Sequence, residues 1–142
     1  MTPAFPPPAA LLPHAGAMVL LDEVLAWDAG AVCCSATSHR DPTNPLRRAG
    51  VLPAICGAEY ALQAAAVHGA LGRPDRRAPH GYVAVLRDVE LHVPRLDESG
   101  PLHAIARLVR EESGGVIYDL ELRSADGAVL LRGRAVIAWP KL

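Results

Sequence analysis

The sequence predicts an α+β fold: an antiparallel β-sheet of about six strands wrapped around one long central helix. Three observations carry that expectation. Residues 54–71, AICGAEYALQAAAVHGAL, are dominated by alanine and leucine and are apolar almost all the way round, the pattern of a helix enclosed by protein. The second half of the chain is a succession of stretches in which apolar and polar residues alternate, as in strands buried on one face. Those stretches are separated by DESGP, ESGG and ADGA, the last two at hairpin length. A half-apolar sheet and an apolar helix satisfy each other when the sheet curls around the helix.

The bulk properties set limits before any motif is considered. A chain of 142 residues is expected to form one domain, 1–142, with residues 1–10 as a flexible proline-rich N-terminal arm. Hydrophobic residues make up 51% and charged residues 20%, a globular rather than a disordered composition. A net charge of −1 gives no electrostatic case for nucleic acid or an anionic membrane surface. Cys33 and Cys34 are adjacent and Cys56 stands alone, which is neither a disulfide framework nor a zinc spacing. The N-terminal MTPAFPPPAALLPH lacks a basic leader region, and no apolar run is long enough to span a bilayer. A cytoplasmic protein with no metal and no cofactor is the expectation.

Taken in order, VLLDEVLAW after the arm reads as a strand or a short helix, Asp28-Ala29-Gly30 as a turn, and AVCCSATS as a strand pairing back. HRDPTNPLRRA, residues 39–49, is a loop. Pro53 suits a first helical position and Gly72-Arg73-Pro74 a stop. In VAVLRDVELHVP, Val83, Val85, Val89 and Leu91 share one parity, and in VIYDLELRS, Val116, Tyr118, Leu120 and Leu122 do. In VLLRGRAVIAW, Arg132 and Arg134 share a face.

Two residues stand out chemically. Glu59 lies in the middle of the most apolar segment, with Gln63 four residues on and therefore on the same helix face. An unpartnered buried carboxylate is very costly, so the site pairs it, protonates it or leaves it wet. Two readings stay open: a polar stripe facing an interface or a solvated gap, or a reactive carboxylate lining an apolar tunnel. His14 sits in the irregular LPHAGAM segment, either as a hydrogen-bonded structural histidine or as a proton carrier. His39 and His80 fall in loops, His68 near the helix end, His92 on a strand and His103 at a strand start. No histidine pair has metal-ligand spacing.

Leu12–Val24, LPHAGAMVLLDEV, resembles the LPHRxPMLLvDrV opening of the 3-hydroxyacyl-acyl-carrier-protein dehydratases. Gly50–Leu71, GVLPAICGAEYALQAAAVHGAL, resembles their central helix, and its E-Y-x-x-Q version is most similar to the divergent branch associated with aryl polyene and polyketide-like clusters. The resemblance runs from Leu11 onward. It implies the hotdog fold, usually dimeric, with sites at the dimer interface.

It also implies elimination of water from a 3-hydroxyacyl thioester carried on acyl carrier protein or CoA, which needs a base, an acid and donors to the thioester carbonyl. Glu59 matches the family's acidic residue, and burial there would raise its pKa. The helix start at Cys56 and Gly57 would offer backbone N–H groups to the carbonyl. Ala58, Tyr60 and Gln63 complete the substrate-binding set, Gln63 by hydrogen bonding. The acyl chain would follow Ala54, Ala58, Ala61 and Ala65. Family members typically carry a catalytic histidine in a GHFPG-like loop before the helix; here TNPLRRAGVLP contains none. His14 is the substitute, as base or as acid and base, with Glu59 its partner. The alternatives are a non-catalytic subunit that pairs with an active dehydratase, and a hotdog thioesterase. The partner chain would be a second copy or a related hotdog protein.

Overall fold

The computed structural model describes residues 5–73 and 81–140. Helix α2, Gly57–Leu71, is entered through a 3₁₀ turn at Ala54–Cys56, with Pro53 immediately before it at φ −59° and ψ 147°. Around the helix six strands follow in chain order: β1 (Glu23–Asp28), β2 (Ala31–Ala36), β3 (Tyr82–Leu91), β4 (Leu102–Glu112), β5 (Gly115–Arg123) and β6 (Val129–Ala138). They form one antiparallel sheet in the order β1-β2-β4-β5-β6-β3. The helix lies against β2, β4, β5 and β6. This is the hotdog architecture that the resemblance implies. Pro74, His80 and residues 1–4 of the N-terminal arm lie outside the described residues.

The alternation in the sequence decides which face meets the helix. Ala104 and Ala106 on β4, Val116, Tyr118, Leu120 and Leu122 on β5, and Leu131 and Ala135 on β6 are all buried. Asp119 and Arg134 pair on the opposite face, with Arg134 Nε donating to Asp119 Oδ1 at 2.8 Å. Cys34 points into the core, where burial pushes its thiol up to about 12, while Cys33 remains half-buried.

The helix approaches the sheet closely because its first residue has no side chain. A Cβ on Gly57 would stand 2.7 Å from Leu122 Cδ2, with Leu131 and Leu96 close behind. Leu122 is itself fully buried, so it has little room to yield.

Three expectations change. The proline-rich segment contains a single helical turn, α1 (Pro8–Leu11), packed on α2, with Pro8 and Leu11 buried. Pro8 and Leu11 turn inward, while Ala9 and Ala10 face solvent. The alternation expected in β3 is broken by register shifts at Val83/Val85 and at Arg87/Glu90, with Asp88 at φ +57°. Strand β3 is also at the sheet edge, and Tyr82, Val83, Val85, Leu86 and Leu91 are exposed. Finally, α2 is not enclosed on every side. Leu62, Ala66, Ala70 and Leu71 are only partly buried, along a face that opens onto a cavity.

Gly57→Ala should destabilise the chain by about 1–3 kcal/mol, the usual cost of overpacking a filled core. Urea unfolding of wild type and variant measures it; an unchanged midpoint would mean that the helix can move off the sheet.

Candidate active site

His14 and Glu59 are 45 positions apart in sequence, and the fold brings them together. His14 Nε2 lies 3.7 Å from Glu59 Oε1, with side-chain exposures of 27% and 38%. Glu59 is therefore not a buried carboxylate: it stays partly wet beside an imidazole. His14 Nδ1 is buried and has no hydrogen-bond partner among the described residues, while Nε2 is the nitrogen that faces Glu59.

What holds His14 in place is the helix itself. Gln63 Oε1 accepts from the Leu20 N–H at 3.0 Å, and Gln63 Nε2 donates to the Met18 carbonyl at 2.6 Å. One helical side chain thus clamps an extended segment at two points. A second clamp starts from Tyr60. Asn44 Nδ2 donates to the Tyr60 hydroxyl at 3.0 Å, that hydroxyl lies 2.8 Å from Ser38 Oγ, and Ser38 donates to the Leu20 carbonyl at 2.8 Å. Upstream of His14, Leu11 and Leu12 are buried. Between the two anchored ends the chain turns at Gly16, whose φ of +59° is a conformation that disfavours a side chain.

The other expected site residues fall in different places. The Cys56 N–H donates to the Pro53 carbonyl and the Gly57 N–H to the Ala54 carbonyl. The 3₁₀ turn thus consumes the donors that a free helix start would have offered to a thioester. Ala58 and Tyr60 are buried within the core, with the Tyr60 hydroxyl spent on Ser38 and Asn44. Ala54 and Ala61 are buried too, and of that expected alanine track only Ala65 touches the cavity. In the loop that lacks a histidine, Arg47 donates to the carbonyls of Asp41, Gly50 and His39. Arg47 ties the loop together and is not free for a ligand.

The cavity beside the pair has a volume of about 500 Å³. Its helix wall is Glu59, Leu62, Gln63, Ala66, Gly69, Ala70 and Arg73, and its far end is formed by Trp27, His68, Tyr118 and Trp139. His68 Nε2 donates to the Asp28 carbonyl at 2.9 Å, so its Nδ1 accepts from the Tyr118 hydroxyl at 2.6 Å. Burial pushes the Tyr118 phenol up to about 12 and keeps it protonated as that donor. Trp27 Nε1 donates to the His68 carbonyl at 3.2 Å, and the Arg73 guanidinium lies 4.3 Å over the Trp139 ring. The sequence reading did not reach this far wall. The helix side was accessible to it: stepping from Glu59 by three and four gives 62, 66, 70 and 73.

A family model for ApeP dehydratases matches residues 6–141. The chain belongs to the ApeP-like dehydratase family. A chain of the dehydratase heterocomplex ApeI:P from Xenorhabdus doucetiae is 27% identical, with a TM-score of 0.84 over 96% of this chain and 93% of that one. AziG from S. sahachiroi (18% identical, TM-score 0.62, 93% and 99% of the two chains) shares the fold. So does the thioesterase HI1161 from Haemophilus influenzae (13%, 0.64, 84% and 78%). No curated protein sequence matches. In this ApeP-like chain no helix among the described residues is long and apolar enough to cross a membrane.

Gln63→Leu should cost about 1–3 kcal/mol, because it leaves the buried Leu20 N–H without an acceptor. Hydrogen exchange at the Leu20 amide should accelerate with it. Protection equal to wild type would show that Gln63 does not hold the segment.

Proposed function

We propose that this ApeP-like protein eliminates water from a 3-hydroxyacyl thioester carried on acyl carrier protein or CoA. The observation behind this reading is a facing imidazole and carboxylate at one end of an apolar cavity. Elimination needs one proton removed from C2 and one delivered to the hydroxyl on C3. His14 Nε2 takes the C2 proton, the C2–C3 double bond forms as the C3–O bond breaks, and the imidazolium, steadied by the Glu59 carboxylate facing it, delivers that proton to the departing oxygen, which leaves as water. Imidazole and carboxylate are thereby restored to their starting states. No electrons are gained or lost, so no redox partner is needed. Gln63 positions His14 through Met18 and Leu20 and does not itself act on the substrate. The acyl chain runs along the cavity face of α2, through Leu62 and Ala66.

Positioned acid–base groups contribute about 10²–10⁴-fold. His14→Ala and Glu59→Gln should each therefore lower kcat/KM on a 3-hydroxyacyl thioester by about 100-fold or more, measured as enoyl formation. Unchanged rates in both variants would remove the pair from the mechanism. Release of free thiol instead of enoyl product would assign hydrolysis.

We also propose that β3 is the edge through which the protein pairs with a related hotdog chain. Strand β3 has a single strand neighbour among the described residues, β6, and carries five exposed large apolar side chains. A free edge of that length and composition favours pairing with another strand. The heterocomplex assembly of the similar ApeI:P protein supports a hotdog partner. Val85→Asp with Leu86→Asp should convert the assembly to single chains in light scattering after gel filtration. An assembly that survives both charges would place the contact elsewhere.

A further inference from the structure

Building on the dehydratase reading, we infer that Gly69 sets the length of acyl tail the cavity accepts. The tail end lies between Gly69 and the indoles of Trp27 and Trp139. Gly69 is in the last turn of a helix otherwise built largely of alanine and leucine. Glycine is a poorer helix former than alanine, by up to about 1 kcal/mol, so its presence calls for a reason. Close packing, the reason at Gly57, does not apply: beyond its own helix, a Cβ at Gly69 would meet no atom of the described residues within 4 Å. The space over Gly69 is open, and it is part of the cavity that starts at His14 and Glu59.

The opposite wall states what fills that space. Both tryptophans of the chain stand at this end. The polar hydrogens of Trp27, His68 and Tyr118 are already given to partners within the chain. Arg73 lies over the Trp139 ring and pairs with Glu111 at 3.6 Å, so the charges at this end are matched within the chain and its aromatic rings offer a surface that suits hydrocarbon, whereas His14 and Glu59 lie at the other end. The thioester head therefore belongs at His14 and Glu59, and the chain terminus at the indoles. From Glu59 to Gly69 the helix rises about 15 Å, roughly the extended length of a twelve-carbon chain. A side chain larger than glycine at position 69 would narrow the groove at that depth.

The test compares wild type, Gly69→Ala and Gly69→Leu, in the oligomer as purified, on saturated thioesters from 3-hydroxybutyryl to 3-hydroxyhexadecanoyl. Alanine and leucine are both better helix formers than glycine, so folding should hold or improve, as thermal melting reports. The ratio of long-chain to short-chain kcat/KM should fall by about tenfold or more for Gly69→Leu, with Gly69→Ala between. An equal loss at every length, or none at any, would overturn the assignment.

A second readout separates this inference from the dehydratase reading. Hexadecanoic acid bound in the compartment should change tryptophan fluorescence in wild type, and Gly69→Leu should abolish the change. If that binding holds while no thioester is dehydrated, the catalytic reading fails and the compartment stands. If wild type turns over thioesters and fatty acid leaves both indoles unaffected, the compartment is elsewhere.

Discussion

The site depends on one side chain amide. Gln63 holds both the Leu20 N–H and the Met18 carbonyl, joining an N-terminal segment with little regular structure of its own to the most rigid element of the fold. A primary amide suits this task because it donates and accepts at once, whereas a carboxylate only accepts. Among the described residues, the segment between Leu12 and Leu20 is otherwise held at its ends, by buried leucines and by the Tyr60–Ser38 relay. With Glu59 one turn before Gln63 on the same face, the clamp and the carboxylate share a helix, and the distance from imidazole to carboxylate follows from where the clamp closes.

The phase of α2 does two tasks. One side of the helix is alanine and glycine against the sheet, so close that Gly57 has no room for a methyl group. The other side runs from Glu59 through Leu62 and Ala66 to Arg73 and forms a cavity wall. Small residues on both sides have opposite meanings: contact at the sheet, vacancy at the cavity.

The fold was largely legible in the sequence because it rests on patterns of short range. The alternation in β5, the shared face of Arg132 and Arg134 on β6, the hairpin lengths and the apolar helix are local properties, and local properties are what a sequence displays. The pairing of His14 with Glu59 was legible through motif resemblance together with the absence of a histidine from residues 43–53. The donors at Cys56 and Gly57 were misread because a 3₁₀ turn before the helix satisfies them, and nothing in PAICG distinguishes that turn from a helix start. The acyl track was placed on the alanine side of α2, since composition does not reveal which small residues touch a sheet. The far wall was invisible for a different reason. Trp27, His68, Tyr118 and Trp139 come from four elements or their flanks, and only the sheet order brings them together.

Imidazole and carboxylate face each other within one chain, so that pair is complete without a neighbour. The loop at 39–51 is tied by Arg47, which donates to three of its backbone carbonyls. If β3 is the contact proposed above, that edge can diverge towards a non-identical companion without taking the pair apart, and a pair complete within one chain leaves its contact surface free to change partners.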